Sequence, residues 1–175
     1  MITKLNMAAP NLMKKISIAK LTLNIGVGKD EEMLKKGLKL LEKLSPLTPV
    51  KTVSKKRIPA WGLRPGLVIG CKVTVRKDAE QLLKRLLVAK ENTLSTKNFD
   101  NQGNLAFGIS EYIDIEGLEY DPELKILGLE AAVTLERPGY RVKHRKVKPT
   151  VVGKNQIITQ SEAINFVKSL GVEVN

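Results

Sequence analysis

The stretch that decides the fold is "AKLTLNIGVGKDE", residues 19–31, in which a strand pattern gives way to a helix start. Apolar residues occupy every second position from Leu21 to Val27, which is the period of a β-strand with one buried face. The sequence therefore predicts a strand whose other face is polar and small. The residues of that face are Lys20, Thr22, Asn24 and Gly26.

An amphipathic helix is predicted directly after this strand. Asp30 opens it, and Pro46 and Pro49 are expected to end it. Its apolar stripe comprises Leu34, Leu38 and Leu41. Two i,i+4 ion pairs are expected on its exposed surface, Glu31 with Lys35 and Glu32 with Lys36.

A β-hairpin with a long loop is predicted next. Residues 50–54 are read as extended, and alternating apolar residues from position 69 to 75 predict the returning strand. Between them lies "KKRIPAWGLRPG", residues 55–66, which has no regular period and contains the only tryptophan. We expect a projecting hairpin loop at 54–67. Trp61 either pins this loop to its own hairpin or is free to contact a partner.

The remaining elements complete a mixed architecture. A second helix follows Asp78, with Gln81 in the capping-box position, and a last helix begins at the Thr159/Glu162 capping box. Strands are predicted at 105–109 and 131–135. The order predicts an α+β fold in one domain over residues 1–175: an open, mainly antiparallel sheet with helices packed on one face and the other face free.

The chain is strongly basic. In its 175 residues, 30 Lys and Arg against 18 Asp and Glu give a formal net charge of +12, which suggests a polyanionic partner, nucleic acid first. An anionic membrane surface would explain the same positive net charge, but no apolar run approaches the roughly 18 residues that cross a bilayer. We expect no membrane partner. The single cysteine, Cys71, excludes an internal disulfide and favours a reducing, cytoplasmic compartment.

The charges are segregated along the sequence. Residues 43–77 hold nine Lys and Arg and no acid, and residues 137–161 hold seven and no acid. Residues 111–136 hold eight acids against Lys125 alone. Because like charge keeps an acidic surface away from phosphate, we expect this acidic stretch to face a basic protein partner.

Two sets of residues are candidate RNA contacts. Hydroxyl, amide and amino donors on an open sheet suit phosphates and 2′-hydroxyl groups, and small residues allow close approach. In the basic segment at 137–154, Tyr140 and His144 are interleaved with cations, which suits stacking on bases. The plainer interpretation of both sets is a solvated face. The candidates are Lys20, Thr22, Asn24, Gly26, Thr52, Lys72, Thr74 and Arg76 on the sheet, and Arg137, Tyr140, Arg141, Arg145 and Lys146 in the basic segment.

The sequence carries no catalytic arrangement. "NIGVGKDE", residues 24–31, lacks the spacing of a P-loop, and the acids that follow it would repel a phosphate. Cys71 has no neighbouring histidine to activate it and is read as a core residue, while His144 lies among cations. With no paired carboxylates, metal-ligand spacing or triad, the sequence predicts no enzyme, no cofactor and no metal site.

Four stretches together resemble one family, the 5S-rRNA-binding proteins numbered five among those of the large ribosomal subunit. They are "LNIGVGKDE" from Leu23, "TVSKKRIPAWGLRPGLVIGCKVTVR" from Thr52, "FDNQGNLAFGISEYI" from Phe99 and "ILGLEAAVTLERPGYRV" from Ile126. They follow in family order over nearly the whole chain. "LERPGYRV" and the basic extension resemble the archaeal and eukaryotic branch.

The resemblance implies a structural component of the large subunit that acts in translation. It implies attachment of 5S rRNA in the central protuberance, contacts to large-subunit rRNA and to other proteins of the protuberance, and a hairpin tip that reaches the P-site tRNA. It also implies that the acidic stretch at 111–136 contacts a protein of the small-subunit head. The tip falls on Lys55, Lys56, Arg57, Ile58, Pro59, Ala60, Trp61, Gly62 and Arg64.

Two other classes of function compete with this one. A free-standing RNA-binding or assembly module would act off the ribosome and would not sediment quantitatively with the large subunit at high salt. A basic enzyme acting on RNA is opposed by the missing acid/base arrangement.

Overall fold

The computed structural model describes residues 11–175, and an open five-stranded sheet dominates it. The strands are β1 (Ser17–Gly26), β2 (Val50–Val53), β3 (Val68–Val75), β4 (Thr93–Leu94), β5 (Leu105–Ile109), β6 (Leu129–Glu136) and β7 (Glu173–Val174). The main sheet is antiparallel and has the order β2-β3-β1-β6-β5, while β4 and β7 pair in parallel as a separate small sheet. The predicted open, mainly antiparallel sheet is confirmed.

Helices cover one face of this sheet. They are α1 (Glu31–Leu44) and α2 (Ala79–Ala89). The helix α4 (Gln160–Lys168) adds Ala163 and Val167 to the same buried core, whereas the single turn α3 (Arg141–His144) has no buried residue. The α1 helix packs on β3, and α2 packs on β1. Asp30 caps α1 through its side chain, and Thr159 and Glu162 form the predicted capping box of α4. The mixed α+β class expected from the sequence is therefore confirmed.

The hydrophobic core lies between the sheet and the helices. Alternate residues of the strands point into it, including Leu21 and Leu23 of β1 and Cys71 of β3, all fully buried. Gly37 of α1 lies so close to β3 that a Cβ atom there would be 3.0 Å from Cys71 Sγ, so glycine allows this close approach. Burial raises the pKa of the Cys71 thiol to about 11, which leaves it uncharged and unreactive near neutral pH.

Three local expectations were wrong. Asp78 is the N-cap residue of α2, as predicted, but its φ is left-handed at +56° and its side chain makes no capping hydrogen bond, so the expected capping box with Gln81 is not formed. The expected pairs within α1 are absent from the ion pairs of residues 11–175; other lysines of this helix reach across to the acidic stretch instead. Leu38 is only half-buried, because the buried stripe of α1 continues through Leu40, Leu41 and Leu44.

Candidate nucleic-acid interface

The uncovered face of the sheet brings the predicted polar residues into rows. Lys72 of β3 lies opposite Asn24 of β1, which in turn lies opposite Glu130 of β6. In the next row Thr74 lies opposite Thr22. Antiparallel pairing fixes these neighbours, because each inward apolar residue of β1 forces the residue beside it onto the outer face. The sheet therefore places side chains with hydroxyl, amide and ammonium groups side by side on strands that lie about 5 Å apart.

The other sheet candidates lie around these rows. Thr52 lies opposite Gly70, which also pairs with Gly26. Lys20 lies opposite Thr134, beyond an irregularity in the pairing of β1 with β6, and Arg76 follows the last residue of β3. Lys20, Lys72 and Arg76 are exposed and take part in no ion pair within the described residues.

Small residues make part of this face flat. Ala132 is exposed beside Thr22, and Gly108 of β5 is exposed beside Glu130. Gly70 is required for a different reason: a Cβ atom there would lie 2.5 Å from the Ile25 carbonyl oxygen. A ligand can therefore approach the sheet backbone closely over β5, β6 and β1.

The outer face also carries acidic residues, which the sequence analysis did not foresee. Glu130 and Glu136 belong to the stretch that was expected to form a separate acidic surface, yet both occur on the sheet face, in the strand beside β1. Asn24 Nδ2 donates a hydrogen bond of 3.1 Å to Glu130 Oε2. The expectation that the whole acidic stretch is separated from the basic face was therefore wrong, because strand pairing brings β6 beside β1.

The loop at 54–67 is folded back on itself. Ile58 and Leu63 form an isolated bridge around the short 3-10 turn Pro59–Trp61, and Leu63 is buried. Gly62 has a left-handed φ of +60°, and a side chain there would collide with that of Lys29. The side chain of Lys29, from the turn after β1, therefore lies beside Gly62 at the predicted tip of the loop.

Trp61 is left outside this small structure. Its side chain is 70% exposed, so it does not pin the loop to the hairpin, which was one of the two interpretations of the sequence. The surrounding cations are exposed, and none of them forms an ion pair with another described residue. They are Lys55, Lys56, Arg57 and Arg64.

Arg137 has a structural position instead of a surface one. Its side chain is 5% exposed, and its Nη2 donates to Glu162 Oε1 at 2.7 Å. Its Nε donates to the Lys14 carbonyl oxygen at 3.1 Å. The capping hydrogen bond from the Thr159 backbone N–H and the bond from Arg137 together hold the pKa of Glu162 below its usual value. Its donors are committed within the protein, which gives Arg137 a role in stability, and its contact with RNA stays a prediction.

Tyr140 is likewise occupied within the protein. Its hydroxyl donates to the Gln156 carbonyl oxygen at 2.9 Å and accepts from the Ile158 backbone N–H at 3.1 Å. Its ring is half-buried against the core. Tyr140 therefore anchors the basic segment to the residues that precede α4, and its contact with RNA stays a prediction.

The rest of the basic segment is exposed. Arg141, Arg145 and Lys146 project from α3 and the residues that follow it, and Arg145 Nε donates to the Lys148 carbonyl oxygen at 2.8 Å. Nothing in residues 11–175 neutralises these three cations. They remain candidates for phosphate contacts.

Part of the acidic stretch is neutralised by α1. Lys39 Nζ lies 2.6 Å from Glu123 Oε2, and Lys43 Nζ lies 2.6 Å from Asp121 Oδ2. The first contact raises the pKa of Lys39, and the second is the main reason why the pKa of Asp121 is lowered. Between the end of β5 and these two ion pairs, the chain carries further exposed acids and the exposed side chain of Tyr120.

The described residues contain neither a metal site nor a membrane span. Within residues 11–175 no three His, Cys, Asp or Glu side chains are grouped so that they could hold a metal ion. No helix in that part of the chain is long and apolar enough to cross a membrane.

Comparison with known proteins gives consistent similarities over most of the chain. A family model described as ribosomal protein L5 matches residues 11–64, and one described as the ribosomal L5P family C-terminus matches residues 68–166. The large ribosomal subunit protein uL5 of Nanoarchaeum equitans is 48% identical over 165 residues, covering 93% of this chain and 97% of the relative. That of Nitrosopumilus maritimus is 48% identical over 164 residues, covering 93% and 95%. That of Sulfolobus acidocaldarius is 43% identical over 159 residues, covering 90% and 89%.

Proposed function

This chain belongs to the uL5 family of ribosomal proteins, in its archaeal type, and from that premise we propose that it binds 5S rRNA and attaches it in the central protuberance. The resemblance seen in the four sequence stretches is thereby confirmed. The protein is a structural constituent of the large ribosomal subunit, bound to the ribosome in the cytoplasm, and not an enzyme. This removes the two competing classes of function.

We propose that the open sheet face is the surface that binds 5S rRNA. Lys72 lies opposite Asn24 on this face, and its exposed ammonium group has no acidic partner among residues 11–175. Donors on a flat surface with small neighbours suit an RNA backbone, because phosphate and 2′-hydroxyl oxygens can accept from several strands at once. The remaining proposed contacts on this face are Lys20, Thr22, Gly26, Thr52, Thr74 and Arg76.

A competition assay tests this proposal. We expect 5S rRNA to displace itself from the protein at a concentration at least about ten-fold lower than an unrelated RNA of equal length needs, since contacts beyond charge alone discriminate between RNAs. Equal displacement by the two RNAs would contradict specific binding.

We further propose that the loop at 55–64 contacts the P-site tRNA. Support comes from its composition and its structure together: cations that form no ion pair with any described residue surround an indole that is 70% exposed. A protruding aromatic ring beside cations suits a nucleic acid, because the ring can stack on a base while phosphates are neutralised.

Removing the charged and aromatic tip should affect tRNA and spare 5S rRNA. We expect Lys55→Ser, Lys56→Ser and Trp61→Ser together to leave 5S rRNA affinity within about a factor of three, because the Ile58–Leu63 bridge that folds the loop is kept. Ribosomes carrying this variant should release P-site tRNA at least about five-fold faster. The measurement is the dissociation rate of labelled tRNA from purified ribosomes.

The matched control changes equal charge elsewhere. Lys35→Ser and Lys90→Ser remove two exposed cations outside the loop. If these control ribosomes lose tRNA equally fast, or if the loop variant fails to bind 5S rRNA, the loop has been assigned to the wrong RNA.

We propose that the basic segment contacts large-subunit rRNA through phosphates. Arg141, Arg145 and Lys146 support this, since they are exposed and unpaired within residues 11–175. Replacing all three by Ala should flatten the slope of log K against log salt by about two to three units, because each lost phosphate contact removes about 0.7 to 0.9 of the slope. Fluorescence anisotropy over a salt series on a large-subunit rRNA fragment measures this. An unchanged slope would mean that the segment acts by shape.

We propose a basic protein partner for the acidic stretch at 111–136. Two of its acids are already paired to α1, and Glu130 and Glu136 lie on the sheet. The partner surface is therefore reduced to Glu111, Asp114, Glu116 and Glu119, with the exposed Tyr120 beside them. A protein of the small-subunit head and neighbouring proteins of the central protuberance are the proposed partners.

We retain the single RNA-binding domain as a proposal, with a projecting loop at 54–67 and a basic segment at 137–154. Support comes from the shared core, which includes residues of β1, α2, β6 and α4 in one buried cluster. The predicted domain spans 1–175, and its first ten residues lie outside the described part of the chain.

A further inference from the structure

Glu130 is an exposed carboxylate in the middle of the proposed RNA-binding face. One of its oxygens, Oε2, accepts a hydrogen bond from Asn24 Nδ2 at 3.1 Å. The other oxygen accepts none from the residues that the structure describes, and the side chain forms no ion pair with them, although Lys72 lies in the same row. The face thus holds an oriented acceptor whose second oxygen is free.

A negative charge on such a face is unfavourable unless something compensates it. Bringing phosphates near an unpaired carboxylate costs free energy, and hydrogen bonds that the carboxylate accepts from the ligand offset this cost. RNA offers suitable donors in its base amino groups and its 2′-hydroxyl groups.

The surroundings of Glu130 leave room for such a donor. Gly108 lies opposite it on β5, and a Cβ atom there would meet no other atom within 4 Å. Ala132, two residues further along β6, is exposed and presents only a methyl group. A base or ribose can therefore lie against the sheet beside the carboxylate.

We propose that Glu130 is a specificity-determining residue of the RNA interface, whose carboxylate accepts a hydrogen bond from a base amino group or a 2′-hydroxyl group of the bound RNA. Asn24 is the positioning residue that orients it. The proposal rests on the proposed function, since it requires that this face binds 5S rRNA.

The proposal predicts an effect opposite in sign to that of simple electrostatics. If Glu130 only repels RNA, Glu130→Gln raises affinity for every RNA, by roughly two- to five-fold. If Glu130 accepts a specific donor, the same change weakens 5S rRNA binding by about 5- to 30-fold, because a charge-assisted hydrogen bond becomes a neutral one. Affinity for an unrelated RNA of equal length should then stay the same or rise.

The experiment measures both affinities for the wild-type chain and two variants. Glu130→Gln preserves the shape of the side chain and an acceptor for Asn24. Glu136→Gln is the matched control, since Glu136 belongs to the same strand and face but lies at its far end, opposite Ser17. A loss confined to Glu130→Gln and to 5S rRNA supports the proposal. A rise with both RNAs overturns it while leaving the proposed function intact, and a wild-type protein that does not prefer 5S rRNA overturns both.

The source of the donor is found by analogue interference. 5S rRNA is prepared with scattered inosine, which lacks the guanine amino group, with purine riboside, which lacks the adenine amino group, with zebularine, which lacks the cytosine amino group, or with 2′-deoxynucleotides. A position at which an analogue weakens binding of the wild-type protein but not of Glu130→Gln identifies a base amino group or a 2′-hydroxyl group. If no analogue discriminates between the two proteins, Glu130 does not accept a donor from RNA and the proposal is wrong.

Discussion

Replacing Arg137 by Ala is expected to lower the free energy of unfolding by about 2 to 4 kcal/mol, because it removes an almost fully buried side chain together with the hydrogen bonds and the ion pair that it forms. The guanidinium group joins three parts of the chain: the carbonyl oxygen of Lys14, that of Ile157 and the carboxylate of Glu162. Its loss also removes a side chain that is only 5% exposed. Chemical denaturation monitored by circular dichroism measures the change.

Arg141→Ala is the matched control for this prediction. It removes the same charge four residues later from an exposed position, so its effect on stability should be within about 0.5 kcal/mol. In RNA binding the order of the effects should be reversed. Arg141→Ala should flatten the salt dependence of RNA affinity, whereas Arg137→Ala, measured under conditions in which it is folded, should not. Similar stability of the two variants would mean that Arg137 is a surface residue after all.

The same ion pair makes part of the stability depend on pH. The pKa of Glu162 is lowered in the folded protein from its ordinary value of 4.5, so its contribution is present above that value and is lost as the pH falls through the folded pKa. Arg137→Ala removes one of the causes of the lowered pKa. Its stability should therefore fall less steeply than that of the wild type on acidification below this value.

Replacing Lys72 by Glu is expected to weaken 5S rRNA binding by about 1 to 3 kcal/mol, a factor of about 5 to 150, because it turns a charge-assisted contact into repulsion. Lys72 is exposed on the open face of the sheet, opposite Asn24, so the free energy of unfolding should change little. Filter binding at fixed salt measures the loss. Lys35→Glu, which makes the same charge change on α1, is the control.

Equal losses in the two variants would show that only net charge matters. Unchanged affinity in Lys72→Glu would mean that the open sheet face does not bind 5S rRNA. Neither outcome would affect membership of the uL5 family, which rests on similarity over most of the chain.

Much of the fold could be predicted because local patterns agree with the final packing. The alternation in β1, the capping of α1 by Asp30 and the capping box at Thr159 are all read from a few neighbouring residues. At Asp78 the N-cap position was predicted correctly but the capping hydrogen bond was not, because the turn after β3 holds this residue in a left-handed backbone conformation. A local sequence signal cannot report such a constraint.

The site was less predictable, because it depends on contacts between distant residues. Arg137 was read from its basic neighbours as a phosphate contact, but its partner Glu162 lies 25 residues away and becomes a neighbour only when α4 packs. Glu130 was counted with the acidic stretch, although pairing of β6 with β1 places it beside Asn24. The strand alternation of "LEAAVTL" at 129–135 was the one signal that could have placed Glu130 on the open face.

Lysine reactivity in the presence and absence of 5S rRNA tests most directly whether the open sheet face is the RNA-binding surface. An amine-reactive label read by mass spectrometry reports each side chain separately, and Lys20 and Lys72 lie on that face, whereas Lys35 and Lys39 lie on α1 behind the sheet. We expect 5S rRNA to protect Lys20 and Lys72 and to leave the α1 lysines reactive. Protection of Lys35 and Lys39 with unchanged reactivity at Lys20 and Lys72 would contradict the account.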